Sequence, residues 1–444
     1  MSLTIVRVSG VHLNATLHQQ RLLDFLSRQN APALLVVSSH PELFNSIEVA
    51  LHTVFTNGSD FTALEHRFVE LWQQIVGEEP AKDFLADLDK LTSLLKGIFY
   101  TGDYSPALRD AVMSQAEVLS ARMLVGQLLE LGVASKVLLP SDFGLTATSD
   151  FGNATFANVQ VDNLKQQLGE TILVVPGSYG ITSLGKVARA GASAADYTAA
   201  FIAAELSASR LTLWGSSRAF YAADRNIVPD AAVIEQLTYS EASELAYFDH
   251  FSLHPRAVEP LMTKGIPIYI LSAVSENDIP ETVINSEDAV STSVVKSVAC
   301  TNDISILRLN GPGVGLKPGI LARITGKLAE ASVNIKSVIT SQVSINIILD
   351  SKSGSAAREV AHNVGFTAVS DIELLEDVSL IAIVGHGMQA NYGISARLFA
   401  AVAGSKINVI LSGSGASDLV SYLVVSDAFR ERSVHAIYDA FFKG

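Results

Sequence analysis

The sequence predicts an α/β chain, with a mostly parallel sheet sandwiched by helices followed by two smaller α+β modules. Two observations carry this. Over the first 275 or so residues, short β-rich apolar runs alternate with longer helical stretches. Over roughly the last 150, one pattern occurs twice. Strands that alternate with helices form parallel sheets covered on both faces. A repeat at fixed offset marks a duplicated unit.

The strand candidates in the first part are Leu34–Val37, Lys136–Leu139, Thr171–Val175, Leu211–Trp214 and Ile266–Leu271. Arg109–Leu131 carries apolar residues at helical spacing and reads as one helix. Asp196–Ala208 is Ala-rich and opens just after Gly191 and Ser193. Residues 60–100 read as a helical excursion on the sheet. Residues 272–293 are polar and irregular, so a boundary is expected there. The expected division is 1–275, a linker over 276–293, and modules over 294–372 and 373–444. The strand at 294–302 fits either module.

In the repeat, Gly319–Ile324 (GILARI) returns as Gly393–Leu398 (GISARL), 74 residues later. Asn334-Ile335 meets Asn408-Val409 at the same offset. Each copy reads strand, Gly-rich turn, amphipathic helix, β-rich hairpin. The first copy places these at Ile304–Leu309, Gly319–Ala331 and Ile335–Leu349. The second places them at Val378–Val384, Ile394–Ala403 and Val409–Val425.

Composition narrows the partners. The chain has 444 residues, enough for two or three domains. Apolar residues make up 48% and charged residues 17%, which excludes a disordered chain. The net charge of -14 repels phosphate backbones and anionic lipid, so neither nucleic acid nor a membrane is an expected partner. An anionic substrate needs a local basic pocket. The single cysteine, Cys300, allows no internal disulfide and fits a cytoplasmic location. Met1–Arg7 lacks the build of a signal peptide, and no apolar run reaches 18 residues. No His/Cys cluster has metal-ligand spacing, and no P-loop occurs. Gly311–Gly315 (GPGVG) falls inside the first repeat, with no nucleotide-binding unit around it.

Several segments resemble a known family. The repeated unit looks like tandem ACT domains of ferredoxin type. Leu253–Val258 (LHPRAV) followed by Gly265–Ile268 is similar to a stretch of aspartate kinases. So are Tyr221–Pro229 (YAADRNIVP), Asp196–Ala200 (DYTAA) and Glu117–Arg122 (EVLSAR). The resemblance implies an amino-acid-kinase-like fold. It also implies ATP with Mg²⁺ as cosubstrate if the site is active, an amino acid effector, and homodimers or larger homo-oligomers formed through the ACT modules. The implied reaction phosphorylates the aspartate side-chain carboxylate, the first step of the lysine, threonine and methionine branch.

Both partners in that reaction are anions. Catalysis needs cations and N–H groups that hold them in line and take up spreading charge. The family's K-F-G-G-T-S segment corresponds to Arg7–His12. Arg7 keeps the catalytic charge in a longer, forked form, and Gly10 remains for the nucleotide. Arg7 also reads as an ordinary strand-end residue. The family's G-R-G-G-S-D corresponds to Gly191–Asp196, with Ala192 where the substrate-binding arginine should stand. Arg189, three residues earlier, is the candidate replacement. Amides from Ser193 onward can cradle an anion at a helix start. Asp196 is either the catalytic-site aspartate or a helix cap. The nucleotide turn T-D-V-x-G-x-Y corresponds to Gly215–Tyr221, its aspartate and glycine lost. Ser216, Tyr221 and Asp224 are the remaining nucleotide-side candidates, or simply hold the loop. Phe251 stands where a lysine precedes L-H-P, removing a contact worth about 1.5–3 kcal/mol. Glu117 marks the position that recognises the substrate amino group, unless it is a solvated helix residue. His254 reads as structural.

For the effector, the resemblance nominates Lys317, Gly319 and Ile320 at the turn, and Ile335, Lys336, Thr340, Ser341 and Gln342 on the strand of a partner module. Lys336 stands where lysine-sensitive relatives carry an acid, so an anionic ligand or none is expected. Three readings follow: a working kinase with a rewired site, acting on aspartate or another carboxylate, weak or inactive by its residue losses; a pseudokinase that acts as an ACT-domain sensing or regulatory subunit; and a dimerising scaffold.

Overall fold

The computed structural model describes residues 3–14, 16–29, 31–54, 60–102, 104–169, 171–215, 219–248, 253–273, 278–287, 294–415 and 417–443. The chain divides into two units. The first is Met1–Phe220, Ile234–Ala246 and His250–Ala289; the second is Tyr221–Val233, Tyr247–Asp249 and Val290–Gly444.

The first unit is built on an eight-stranded sheet. Its order is Gln236–Thr238, Thr282–Asn285, Ile268–Leu271, Leu211–Trp214, Thr4–Val8, Ala33–Val37, Ile172–Pro176, Ser135–Val137. Every pairing is parallel except that of Ile268–Leu271 with Thr282–Asn285. The central strands are buried along their whole length. A parallel sheet covered on both faces demands such uninterrupted apolar runs. Those runs are what made the strands readable.

Shorter or interrupted strands escaped that reading. Thr4–Val8 is as long as Ala33–Val37, but Thr4 and Arg7 interrupt its apolar run, and only its Arg7 end reads as strand. A small second sheet is formed by 146–147, 156–158, 179–181 and 187–189. Thr282–Asn285 lies inside the expected linker. Its Thr282 hydroxyl donates to the Ile234 carbonyl at 2.8 Å and accepts from the Phe220 amide at 3.2 Å, which ties a polar segment into the sheet. Residues 276–277 and 288–293 of that linker lie outside the described residues.

The helical excursion is two helices, Phe61–Val76 and Lys82–Thr101, each ending on a left-handed glycine, Gly77 and Gly102. They pack on Gln115–Glu130, where a Cβ at Gly126 would sit 3.0 Å from the Trp72 ring. The single helix expected over 109–131 is two, Pro106–Met113 and Gln115–Glu130. The Ser114 hydroxyl at the join bonds back to the Ala111 carbonyl at 2.9 Å, a contact that bends helices.

The second unit holds two four-stranded antiparallel sheets. The first ACT-like module runs Ser305–Asn310, helix Ile320–Glu330, Ile335–Thr340, Ser344–Leu349, helix Gly354–Val364, Asp371–Leu375. Its first strand lies between Ser344–Leu349 and Asp371–Leu375, the ferredoxin order. In the second module, Ser297–Thr301 takes the edge position beside Val378–Val384. That strand therefore belongs to the second module, and the first module is an insertion within it. Tyr221–Val233 also joins this unit. The Val298 amide donates to the Ala222 carbonyl at 2.9 Å, and Ala222, Ala223 and Val228 enter a core with Ile381, Leu423 and Phe441.

Val298 is fully buried in the second module's core and absent from the first module's. Val298→Asp places an unpaired charge there, a change of about 3 kcal/mol or more. Hydrogen exchange is expected to show Val378–Val384 losing protection while Ser305–Asn310 keeps it.

Candidate active and effector sites

Two buried ion pairs form the centre of the first unit. Arg7 lies on the central strand Thr4–Val8 and is fully buried. Its Nε pairs with the Asp196 carboxylate. Neither terminal nitrogen of Arg7 has a hydrogen-bond partner. Asp196 sits in the first turn of helix Ala195–Glu205, and its Oδ2 accepts from the His254 amide at 3.1 Å. The cap position is Ala194, with no side-chain cap, so Asp196 is not the N-cap. Arg7 is likewise no strand-end side chain in solvent.

The second pair joins Glu117, on helix Gln115–Glu130, to Arg189, which ends strand Val187–Arg189. Arg189 Nη2 donates to Glu117 Oε1 at 3.1 Å, and both side chains are at least nine-tenths buried. Burial raises the Glu117 carboxyl above its ordinary range, and the Arg189 charge pulls it back. The Tyr179 phenol is pushed well up by burial and then by the Glu117 charge. Asp110 holds the backbone around Arg189: its Oδ2 accepts from the Arg189 and Gly152 amides, each at 2.8 Å. Sequence reasoning weighed Arg189 and Glu117 but missed Asp110, which looked like one polar residue on an amphipathic helix.

The turn after Arg189 has Gly191 at φ 110 and exposed Ser193 at φ 54, leading into the helix start. Gly10 serves chain packing: a Cβ there would meet the Ser39 carbonyl at 2.4 Å and the His40 nitrogen at 2.6 Å. Its amide donates to Ser38 Oγ at 3.1 Å. His12 is buried with its ring against Gly215, where an added Cβ would lie 2.7 Å from Nε2. The rings of His12 and Trp214 meet edge to face at 5.4 Å, and His12 Nδ1 lies 3.1 Å from His18 Nδ1. Burial, then the charges of His18 and Arg7, lower the His12 pKa to about 4. His12 is therefore neutral near pH 7.

Ser216 and Phe251 lie outside the described residues. Tyr221 and Asp224 belong to the second unit. Tyr221 bridges to Val233 and lies under the Arg225 guanidinium at 5.0 Å. Asp224 Oδ1 accepts from the Asn226 amide at 2.9 Å and so holds its own turn.

In the first ACT-like module, an open pocket of about 580 Å³ is lined by Lys317, Gly319, Ile320, Thr340, Ser341 and Gln342, with Val314 and Leu321 beside them. Turn and hairpin come from the same module, where the expected arrangement used a partner's strand. Gly319, at φ 87, opens helix Ile320–Glu330. Ile335 packs against the module core. Lys336 does not line the pocket: its Nζ pairs with Asp350 at 2.7 Å and donates to the Asp303 carbonyl at 2.9 Å. Its reversed charge is neutralised locally, so it says little about the ligand.

The amino acid kinase family model matches residues 22–272, more than half of the chain, and an ACT domain model matches 381–441. The chain belongs to the amino acid kinase family. Its relatives place it among aspartate kinase homologues with ACT domains. It is 26% identical to a bifunctional aspartokinase/homoserine dehydrogenase of Haemophilus influenzae, over 80% of this chain and 45% of that protein. It is 26% identical to the chloroplastic aspartokinase 3 of Arabidopsis thaliana, over 80% and 66%. The lysine-sensitive aspartokinase 3 of Escherichia coli is 25% identical over 76% of each chain. The chain thus spans under half of the first relative and about two thirds of the second. Among solved structures, E. coli aspartokinase III in complex with aspartate and ADP superposes with a TM-score of 0.85 at 22% identity, covering 99% of this chain and 100% of that one. Clostridium acetobutylicum aspartate kinase gives 0.75 at 19%, with the same coverages. These likenesses concern the fold.

Arg189→Ala leaves Glu117 buried without its partner and is expected to cost about 3–5 kcal/mol in denaturant unfolding. Without the guanidinium the Glu117 carboxyl rises further. A carboxyl raised above its unfolded value favours the fold while protonated and loses that benefit as pH rises through the folded value. The deficit of the variant is therefore expected to shrink as pH falls.

Proposed function

We propose that this chain is an aspartate kinase homologue that has lost phosphotransfer and serves as an amino-acid sensing or regulatory subunit. The observation that carries it is the pairing of charges among the described residues of the site. Arg7 is paired with Asp196 and Arg189 with Glu117, all four buried. An aspartate kinase site must gather the γ-phosphate of ATP–Mg²⁺ and a carboxylate, and so must offer excess positive charge where they meet. Two neutralised pairs offer none. A substrate ammonium that sought Glu117 would have to share its carboxylate with Arg189, which takes Oε1 and leaves Oε2 without a hydrogen bond. Ala192 supplies no substitute cation, and neutral His12 fills the space against Gly215.

One observation favours a second reading, a slow kinase that uses ATP with Mg²⁺. The two terminal nitrogens of Arg7 have no partner and could receive a phosphate oxygen. That single contact has to work beside Asp196, whose negative charge opposes it.

The sensing part of the proposal rests on the first-module pocket. Amides at the start of helix Ile320–Glu330 and the charge of Lys317 suit an α-carboxylate. The hydroxyls of Thr340 and Ser341 and the Gln342 amide suit the amine and a small polar side chain. E. coli aspartokinase III is known in complex with lysine and aspartate; an amino acid is the ligand class proposed here. We further propose assembly as a homo-oligomer through these modules, in the cytoplasm.

Isothermal titration is expected to show ATP–Mg²⁺ binding no tighter than about millimolar, some 4 kcal/mol. A micromolar constant together with aspartyl phosphate in a hydroxamate assay would establish the slow-kinase reading instead.

A thermal-shift screen over amino acids is expected to yield at least one that raises Tm, since a ligand specific to the folded state stabilises it. Lys317→Ala with Thr340→Ala should abolish that shift. No shift for any amino acid would leave only the scaffold role.

A further inference from the structure

We propose that the hairpin loop Thr148–Thr155 is a strap across the first unit's site, and that Arg256 is the latch that keeps it shut. The loop joins strands Thr146–Ala147 and Phe156–Asn158. Two bonds close its base. The Thr148 amide donates to the Thr155 carbonyl at 2.9 Å, and the Thr155 amide to Thr148 Oγ1 at 3.0 Å. Of the loop's residues only Ala154 is buried. A segment with so little apolar contact opens at low cost, so hydrogen bonds decide whether it stays down.

Those bonds run to two places. On one side, the Gly152 amide donates to Asp110 Oδ2 at 2.8 Å and the Ala154 amide to the Arg189 carbonyl at 2.9 Å. The Gly152 carbonyl lies 3.6 Å from where a Cβ on Gly191 would stand, so the loop runs beside the turn that follows Arg189. On the other side, Arg256 Nη1 donates to Asn153 Oδ1 at 3.2 Å and Nη2 to Thr155 Oγ1 at 2.7 Å. The Arg256 guanidinium lies 4.6 Å over the Tyr197 ring, which is itself stacked on Phe156 at 4.7 Å. A planar fork seated on an aromatic face is already oriented when it bonds. Tyr197 follows Asp196 in the first turn of helix Ala195–Glu205. The strap therefore spans the two ion pairs. One edge rests on the backbone of Arg189. The other is held, through Arg256, to the turn that carries Asp196. Release of Arg256 frees the loop without breaking either pair, and so governs approach to Arg189 along the Gly191 turn.

Hydrogen exchange on the full chain tests this. Arg256→Ala should speed exchange at the Gly152 and Ala154 amides about tenfold or more, the loss of a hydrogen bond to a charged group. The Arg189 amide is the internal control. It donates to the same Asp110 oxygen, also at 2.8 Å, but belongs to strand Val187–Arg189. It should keep its wild-type rate. Thr155→Val removes one acceptor and spares both base bonds, so it should give a smaller acceleration. Added to Arg256→Ala it should change nothing further. Unchanged rates at Gly152 and Ala154 in Arg256→Ala overturn the proposal. Equal acceleration at Arg189 also overturns it, since Arg256 would then be a general prop of the fold. So does a double variant whose effects simply add. These readouts need no ligand, so they stand apart from whether the chain transfers phosphate or senses an amino acid.

Discussion

A guanidinium buried in the middle of a parallel sheet constrains everything around it. Arg7 is flanked on its strand by residues that are all buried, and its neighbours in register are Val36 and Leu213. A charge there must be paired or the fold is lost. Asp196 pairs with it and thereby fixes where helix Ala195–Glu205 begins. The other oxygen of Asp196 holds the His254 amide, which anchors the segment that follows. Arg189 is bound in the same way to Glu117, and Asp110 fixes its backbone. The charged residues of the site are thus structural members of the fold as well as candidates for binding.

The sequence disclosed what rests on period and offset. The buried parallel strands read clearly because their runs are apolar throughout. The two C-terminal modules read clearly because Gly, Ala and Arg recur 74 residues apart. Short strands did not: Thr282–Asn285 is four residues in a polar stretch, and two hydrogen bonds from one hydroxyl put it in the sheet. The site was half legible. Glu117 and Arg189 carry charge in an apolar setting, so both could be nominated, but which carboxylate takes which cation depends on packing. Tyr221–Pro229 resembled a nucleotide segment, yet its alanines and Val228 sit in the core of the second unit. A linear motif does not reveal to which core its apolar residues are committed.

The duplicated modules show how one fold can diverge without changing its framework. The strand order is the same, but in the second module the edge strand comes from Ser297–Thr301, ahead of the inserted first module. The corresponding turns differ in who holds the amides. In the first, hydroxyls, a glutamine and Lys317 surround an open space. In the second, Asp418 accepts from the Gly387 and Gln389 amides, and the Gln389 side chain donates to the Gly415 carbonyl. Lys336 makes the same point in reverse. A cation that looks like a ligand determinant in the sequence is consumed by Asp350, at the far end of the same hairpin.

Buried pairs also explain why a site keeps its charged residues whatever it binds. Replacing both members of a buried pair by apolar residues is often neutral or stabilising, whereas removing one alone costs about 3–5 kcal/mol. A typical domain has only about 5–15 kcal/mol in hand. Single steps away from Arg7–Asp196 or Arg189–Glu117 therefore lose a large share of that stability. An exposed ligand contact carries no such penalty, and the exposed turn position Ala192 stands where the family's arginine should be. Residues trapped by packing persist, and residues whose work was to touch a ligand are free to change. The presence of Arg7, Glu117, Arg189 and Asp196 is thus accounted for by the fold, since each is buried and paired.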